Sequence, residues 1–153
     1  CMHRMLAAGE ESKASTVNAS KIMSQHWSEK GVDMTGSFLG DGCGLSRSNI
    51  ISTRQMALIL YHAAQHEDFD SFYKTLPVAG RSGTLSSIGG GSDAEGRVVA
   101  KSGTIARVRN YAGYVNTRSG ERYAFAIFFN NYSSDLWSVK SKIVRVWSRM
   151  VGL

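Results

Sequence analysis

Apolar residues recur along this chain with two different periods, and the change from one to the other divides it. Between Thr16 and Lys30, Ala19, Met23 and Trp27 fall four apart with Ile22 beside them, which places them on one face of a helix capped by Ser15 or Thr16 and ended by Gly31. Met2 to Glu11 reads as the end of an earlier helix. Ser52-Thr53-Arg54-Gln55 has the spacing of a capping box, and Met56, Ile59, Leu60 and Ala63 follow on one face, so a helix is predicted from Thr53 to His66. A shorter helical stretch, Ser71 to Leu76, stops at Pro77.

Beyond Pro77 the period shortens. Arg97-Val98-Val99-Ala100-Lys101-Ser102-Gly103-Thr104 reads as a buried strand whose exit is polar. Tyr111 to Asn116 and Arg122 to Phe129, rich in β-branched and aromatic residues, flank the Gly-bearing turn Thr117 to Glu121 and read as a hairpin. From Asp135 the helical period returns: Leu136, Val139, Ile143, Trp147 and Met150 mark one face, with Lys140, Lys142, Arg145 and Arg149 assigned to the other. Such a helix should lie on the sheet. The expected fold class is α/β in the α+β sense, an antiparallel sheet flanked by helices. Residues 1–77 would be mainly helical, 97–131 would hold the strands and 135–152 the last helix. Ser37-Phe38-Leu39 reads as a short strand leading into an irregular loop at 41–49. The Gly/Ser-rich stretch 78–96, with Gly89-Gly90-Gly91-Ser92, has few apolar residues and is predicted to be a long mobile loop outside the core.

The 153 residues, 42% hydrophobic and 20% charged, suffice for one ordinary domain with a core. No apolar run approaches the ~18 residues of a membrane span. The net charge of +6 permits nucleic acid, anionic wall or membrane surface as neighbours, but the 18 basic residues form no run of five and no nucleic-acid motif accompanies them. Nucleic acid is therefore not an expected partner. Cys1 and Cys43 make neither a disulfide framework nor a C-x-x-C pair. The opening Cys1-Met2-His3-Arg4 has neither an initiator methionine nor a signal pattern, so the chain reads as cut from something longer.

Lys101-Ser102-Gly103-Thr104 brings together a cation, two hydroxyls and a stretch of backbone that only glycine leaves bare, a combination suited to an anionic ligand laid along the strand. The plainer alternative is a lysine reaching from a strand end into water above a Ser-Gly turn. Asp41 and Arg47, in the loop Asp41-Gly42-Cys43-Gly44-Leu45-Ser46-Arg47-Ser48-Asn49, either line a cleft or tie the loop together. His62 and His66 have the four-residue spacing of metal ligands, yet Ala-Ala-Gln between them lacks the glutamate of a zinc-protease helix and no third ligand is evident. They read as a solvated helix face, and no metal is expected. Gly91 and Gly96 have P-loop spacing, but Arg97-Val98 replaces the required Lys-Ser/Thr.

Taken in order, Asp41-Gly-Cys-Gly-Leu-Ser-Arg47, Leu76-Pro77-Val-Ala-Gly80 with Gly83-Thr84-Leu85, Lys101-Ser-Gly-Thr104 and Ala112-Gly113-Tyr114 resemble the class C low-molecular-mass penicillin-binding proteins, the D-alanyl-D-alanine carboxypeptidase/endopeptidase family. The resemblance covers nearly the whole chain and corresponds to the C-terminal part of that family's transpeptidase-like fold. Cys43 departs from the usual serine, and Ser102 from the commoner threonine. Of the family's three catalytic motifs only Lys-Ser/Thr-Gly is matched. The Ser-x-x-Lys nucleophile and the Ser-x-Asn element belong upstream: Ser71-Phe72-Tyr73-Lys74 has the first spelling in a segment the family uses structurally, and Ser48-Asn49 lacks the intervening residue of the second. The resemblance implies hydrolysis of D-Ala-D-Ala bonds through an acyl-serine, without metal or organic cofactor, in the periplasm or cell envelope. Expected partners are a peptidoglycan stem peptide ending in D-Ala-D-Ala, β-lactams, and the remainder of the parent chain, which would complete sheet and site. Lys101 would supply positive potential, Ser102 and Thr104 would bind the terminal carboxylate, Gly103 would admit the substrate backbone, and the Thr104 N–H would be an oxyanion donor; this chain alone would be inactive. The alternative from another class is a non-catalytic module that binds an anionic cell-wall peptide.

Overall fold

The computed structural model describes residues 16–153; the expected helix from Met2 to Glu11 and the cap at Ser15 lie outside the described residues. The chain divides into two compact units, one up to Gln55 and one from Met56.

In the first unit, helix α1 (Thr16–Glu29) ends in a left-handed turn. Gly31, at φ 83°, donates to the Ser28 carbonyl at 2.9 Å and Val32 N–H donates to Trp27 O at 3.0 Å, the paired bonds of a Schellman stop. The strand expected at Ser37–Leu39 is a single antiparallel bridge, Phe38 to Ile50. It cannot lengthen because the next amides, Gly40 and Asp41, are taken by Asn49 Oδ1 at 2.7 and 3.3 Å. The capping box forms as the sequence predicts: Gln55 N–H donates to Ser52 Oγ at 3.1 Å, and Ser52 N–H to Gln55 Oε1 at 2.8 Å. Gln55 is buried and spends its Nε2 donors on the Asp33 and Thr35 carbonyls, so burial leaves no polar atom of its amide idle.

Helix α2 (Thr53–Ala63) stops short of the predicted His66. The N–H groups of Gln65 and His66 bond to the carbonyls of His62 and Ala63, three residues back, which tightens the chain out of the α path. Helix α3 (Phe69–Lys74) begins earlier than predicted because Phe69 is buried, edge-on to Tyr114 at 5.1 Å. Strands β1 (Val98–Ile105), β2 (Val108–Asn116) and β3 (Arg122–Phe129) form an antiparallel sheet in the order β1-β2-β3. Helix α4 (Leu136–Val151) is capped by Asp135, whose carboxylate accepts from Ser138 N–H at 2.9 Å.

Side chains alternate between the faces of the sheet. Val98, Ala100, Tyr111, Val115 and Phe125 face one way and form a core with Ile143, Trp147 and Val151 of α4. On the other face Tyr114 joins Leu60 and Phe69, with Ala112 and Ala124 packed against them. Helices thus cover both faces. Within α4, Lys142, Arg145 and Arg149 are exposed as predicted, but Lys140 is half-buried: at 100° per residue it falls near Trp147, on the flank of the buried stripe.

The stretch 78–96 corrects the sequence reading. Ala79, Leu85, Ile88 and Ala94 are all buried in the main core, and Val78 bridges to Val99. Left-handed glycines and short turns fold it tightly: Gly80, at φ 69°, donates to both the Leu85 and Ile88 carbonyls, and Gly83 abuts the Pro77 ring. Isolated buried residues separated by turns carry no period, so patterning could not reveal them.

Candidate active site

Strand β1 is bordered on its outer side only along its first half. Ala79 N–H donates to Val98 O, and Ala100 N–H donates to Pro77 O, each at 2.9 Å. Backbone direction alternates along a strand, so the N–H and C=O groups of Ser102 and Thr104 point to that same side. Among the described residues no backbone group meets them there. The motif therefore occupies the outer half of a strand that runs on to Ile105, not the exit from a strand as the sequence reading had it. Its edge is an unpaired ladder.

The side chains divide between the faces. Lys101 is exposed on the α2–α3 side, and its Nζ donates to Ser102 O at 2.8 Å, one of the open-edge carbonyls. Ser102 and Thr104 point to the α4 side. Ser102 Oγ donates to Thr84 Oγ1 at 2.9 Å, which brings the Gly83-Thr84-Leu85 turn against the strand and joins two motifs that are separate in the sequence. Thr104 Oγ1 accepts from Arg109 Nη1 at 3.0 Å, and Arg109 Nε donates to Tyr111 OH at 2.7 Å.

Gly103 has room that this chain does not use. A Cβ there would meet only Asn110 Cβ, at 4.0 Å, and its φ is not left-handed. Neither conformation nor packing asks for glycine. Gly113 is the opposite case: a Cβ would overlap the Val99 carbonyl oxygen and come within 2.7 Å of Ala100 Cβ. Tyr114 donates its OH to Leu60 O at 2.8 Å, and burial pushes its phenol up to about 12. The Ala112-Gly113-Tyr114 motif thus closes strand and helix packing.

Asp41 organises its own loop. Its carboxylate accepts from Gly44 N–H at 2.8 Å, Ser46 N–H at 2.6 Å and Asn49 Nδ2 at 2.9 Å. The Asn49 bond, helped by those backbone amides, draws its pKa down to about 2. Arg47 is exposed and engages no other described residue. Asp41 and Arg47 lie in the first unit, and Lys101, Ser102, Gly103 and Thr104 in the second. His62 makes a ring contact with Tyr61, and His66 Nδ1 accepts from Asp68 N–H at 3.2 Å. Among the described residues no group of three or more His, Cys, Asp or Glu side chains is placed to hold a metal ion, and no helix is long and apolar enough to cross a membrane.

Thr84 and Arg109 were not among the residues the sequence singled out for the site. Thr84 stood in a quoted motif with no role. Arg109 escaped because the second strand was started at Tyr111, whereas β2 begins at Val108. A two-residue connection from Ile105 to Val108 sets Thr104 opposite Arg109, and only that register brings them together.

A model of the D-Ala-D-Ala carboxypeptidase 3 (S13) family matches residues 1–150. Over 116 residues the chain is 36% identical to D-alanyl-D-alanine carboxypeptidase DacB of Haemophilus influenzae, covering 74% of this chain and 24% of that protein. It is 40% identical over 108 residues to the D-alanyl-D-alanine carboxypeptidase of Actinomadura sp. R39, covering 67% and 20%. The crystal structure of penicillin-binding protein 4 (DacB) from H. influenzae superposes with a TM-score of 0.79 at 31% identity, over 92% of this chain and 33% of that one. The same protein complexed with a β-lactam gives 0.75 at 31% identity, over 90% and 33%. The chain thus spans about a quarter of the length of its curated relatives.

Proposed function

The chain belongs to the D-Ala-D-Ala carboxypeptidase 3 (S13) family, and from that membership we propose that it is the C-terminal part of a serine D-Ala-D-Ala carboxypeptidase or endopeptidase of the bacterial cell envelope. Its parent would act on peptidoglycan stem peptides and be acylated by β-lactams. The observation that carries this reading is the open ladder beside Ser102 and Thr104, with Gly103 left bare where the chain itself has no use for a glycine.

The substrate backbone lies along that edge as an added antiparallel strand, the mode by which extended peptides dock on sheets. Gly103 keeps the approach free of a side chain. The Thr104 O–H donates to the terminal carboxylate, and the Ser102 O–H does so once it turns from Thr84, whose own hydroxyl then donates to Ser102 in its place. The Thr104 N–H points to the open side and stabilises the oxyanion that forms when a serine oxygen attacks the scissile carbonyl; one such donor is typically worth ~3 kcal/mol. The nucleophile and its activating lysine come from the upstream part of the parent, as does the second oxyanion donor. Lys101 raises the positive potential at the edge and serves the proton transfer to the leaving amine. Asp41 acts indirectly, by fixing its loop.

Lys101→Ala and Gly103→Val in the full-length protein test this. Each should slow acylation by a penicillin, the first by removing the cation and the second by blocking the edge, while the thermal transition stays within a few degrees of wild type. Wild-type acylation rates in both variants would contradict the site.

A further inference from the structure

Arg109 belongs to none of the sequence motifs, yet the register places it directly across from Thr104. Two bonds fix it there: Nη1 to Thr104 Oγ1 at 3.0 Å and Nε to Tyr111 OH at 2.7 Å. Its guanidinium carbon lies 5.5 Å from the Tyr111 ring centre. Tyr111 is wholly buried and packs edge-on against Trp147 at 5.2 Å, so the core itself holds the phenol that holds the arginine. A guanidinium has five N–H donors, and these bonds occupy two of them. Among the described residues no carboxylate pairs with it.

The direction of the first bond decides what Thr104 can do. Arg109 donates, so Thr104 Oγ1 is the acceptor and its own O–H is free for another partner. An anion bonded to that hydroxyl then lies within about 6 Å of the guanidinium, near enough for an opposite charge to act strongly. A hydroxyl gains on a carboxylate only from the ligand's own charge. A fixed guanidinium adds the attraction between two full opposite charges, which a neutral ester or amide does not offer.

We propose that Arg109 is a specificity-determining residue: it completes the carboxylate seat begun by Ser102 and Thr104, and selects ligands with a free terminal carboxylate over neutral ligands of the same shape. The inference rests on the site reading given above. Its rival is a purely mechanical role, in which Arg109 braces Thr104 and is indifferent to ligand charge.

The test measures acylation rate constants of the full-length protein with a penicillin and with the methyl ester of the same penicillin, for wild type, Arg109→Gln and Arg109→Lys. Glutamine keeps an N–H donor for Thr104 but loses the charge. It should slow acylation by the carboxylate compound about 10- to 100-fold and leave the ester unchanged. Lysine should restore part of the preference, because it keeps the charge without the planar fork. An equal loss for both compounds, or no loss for either, overturns the inference while leaving the site intact. A wild type that neither compound acylates refutes the site reading itself, and Arg109 with it.

Discussion

Gly103, paired with Asn110, and Gly113, paired with Ala100, lie on adjacent strands, and they answer to different demands. At Gly113 the demand comes from inside: a methyl group would overlap the β1 backbone, so Gly113→Ala should destabilise by about 1–3 kcal/mol through overpacking. At Gly103 a methyl group meets nothing closer than 4.0 Å. Gly103→Ala should therefore be neutral or stabilising by up to about 1 kcal/mol, and should still impair acylation. Chemical denaturation of both variants checks the contrast, and an equal cost at the two positions would remove the argument that Gly103 is reserved for a ligand. The sequence marked both glycines through their motifs but could not say which demand each met. That distinction depends on what lies across the strand, as does Arg109, which becomes visible only once Thr104 has its partner.

Among the elements, those with a period or a cap were legible. The capping box set the start of α2, Gly31 the end of α1, Asp135 the start of α4, and the aromatic run Arg122 to Phe129 became β3 with the bounds its residues suggested. The glycine-rich stretch 78–96 was not, and the 41–49 loop was legible as a loop without its choice of organiser. At 78–96 four isolated apolar residues enter the core from successive turns, an arrangement with no repeat to detect. At 41–49 the organiser is one carboxylate that receives several N–H groups at once. That makes the loop sensitive to acid. The folded-state pKa of Asp41, about 2, lies below its unfolded value of about 3.9. Its contribution to stability is thus present above pH ~4 and is lost as the pH falls from there towards 2. In NMR titrations the Gly44 and Ser46 amides should shift with a midpoint near 2. A midpoint near 4 would mean that the carboxylate does not hold the loop.

At the scale of the whole molecule, β1 and β3 form the two edges of the sheet, and its apolar side chains are largely covered. Val98, Val99 and Phe125 are buried, because α4 and the 78–96 segment cover one face of the sheet and α2 with α3 the other. What stays open among the described residues is backbone: the outer side of β3 and the outer edge of β1 beyond Ala100, where a substrate strand is proposed to lie. One edge, two hydroxyls and two cations suit binding and orientation, and the proposed function assigns the covalent step to a serine in another part of the parent protein. Intact-mass measurement of the full-length protein with and without a penicillin, followed by peptide mapping, should find one penicilloyl adduct on a serine outside residues 1–153. No adduct at all would leave a non-catalytic module for anionic wall peptides, and an adduct within this chain, at Ser71 above all, would place the nucleophile where this account says it is not.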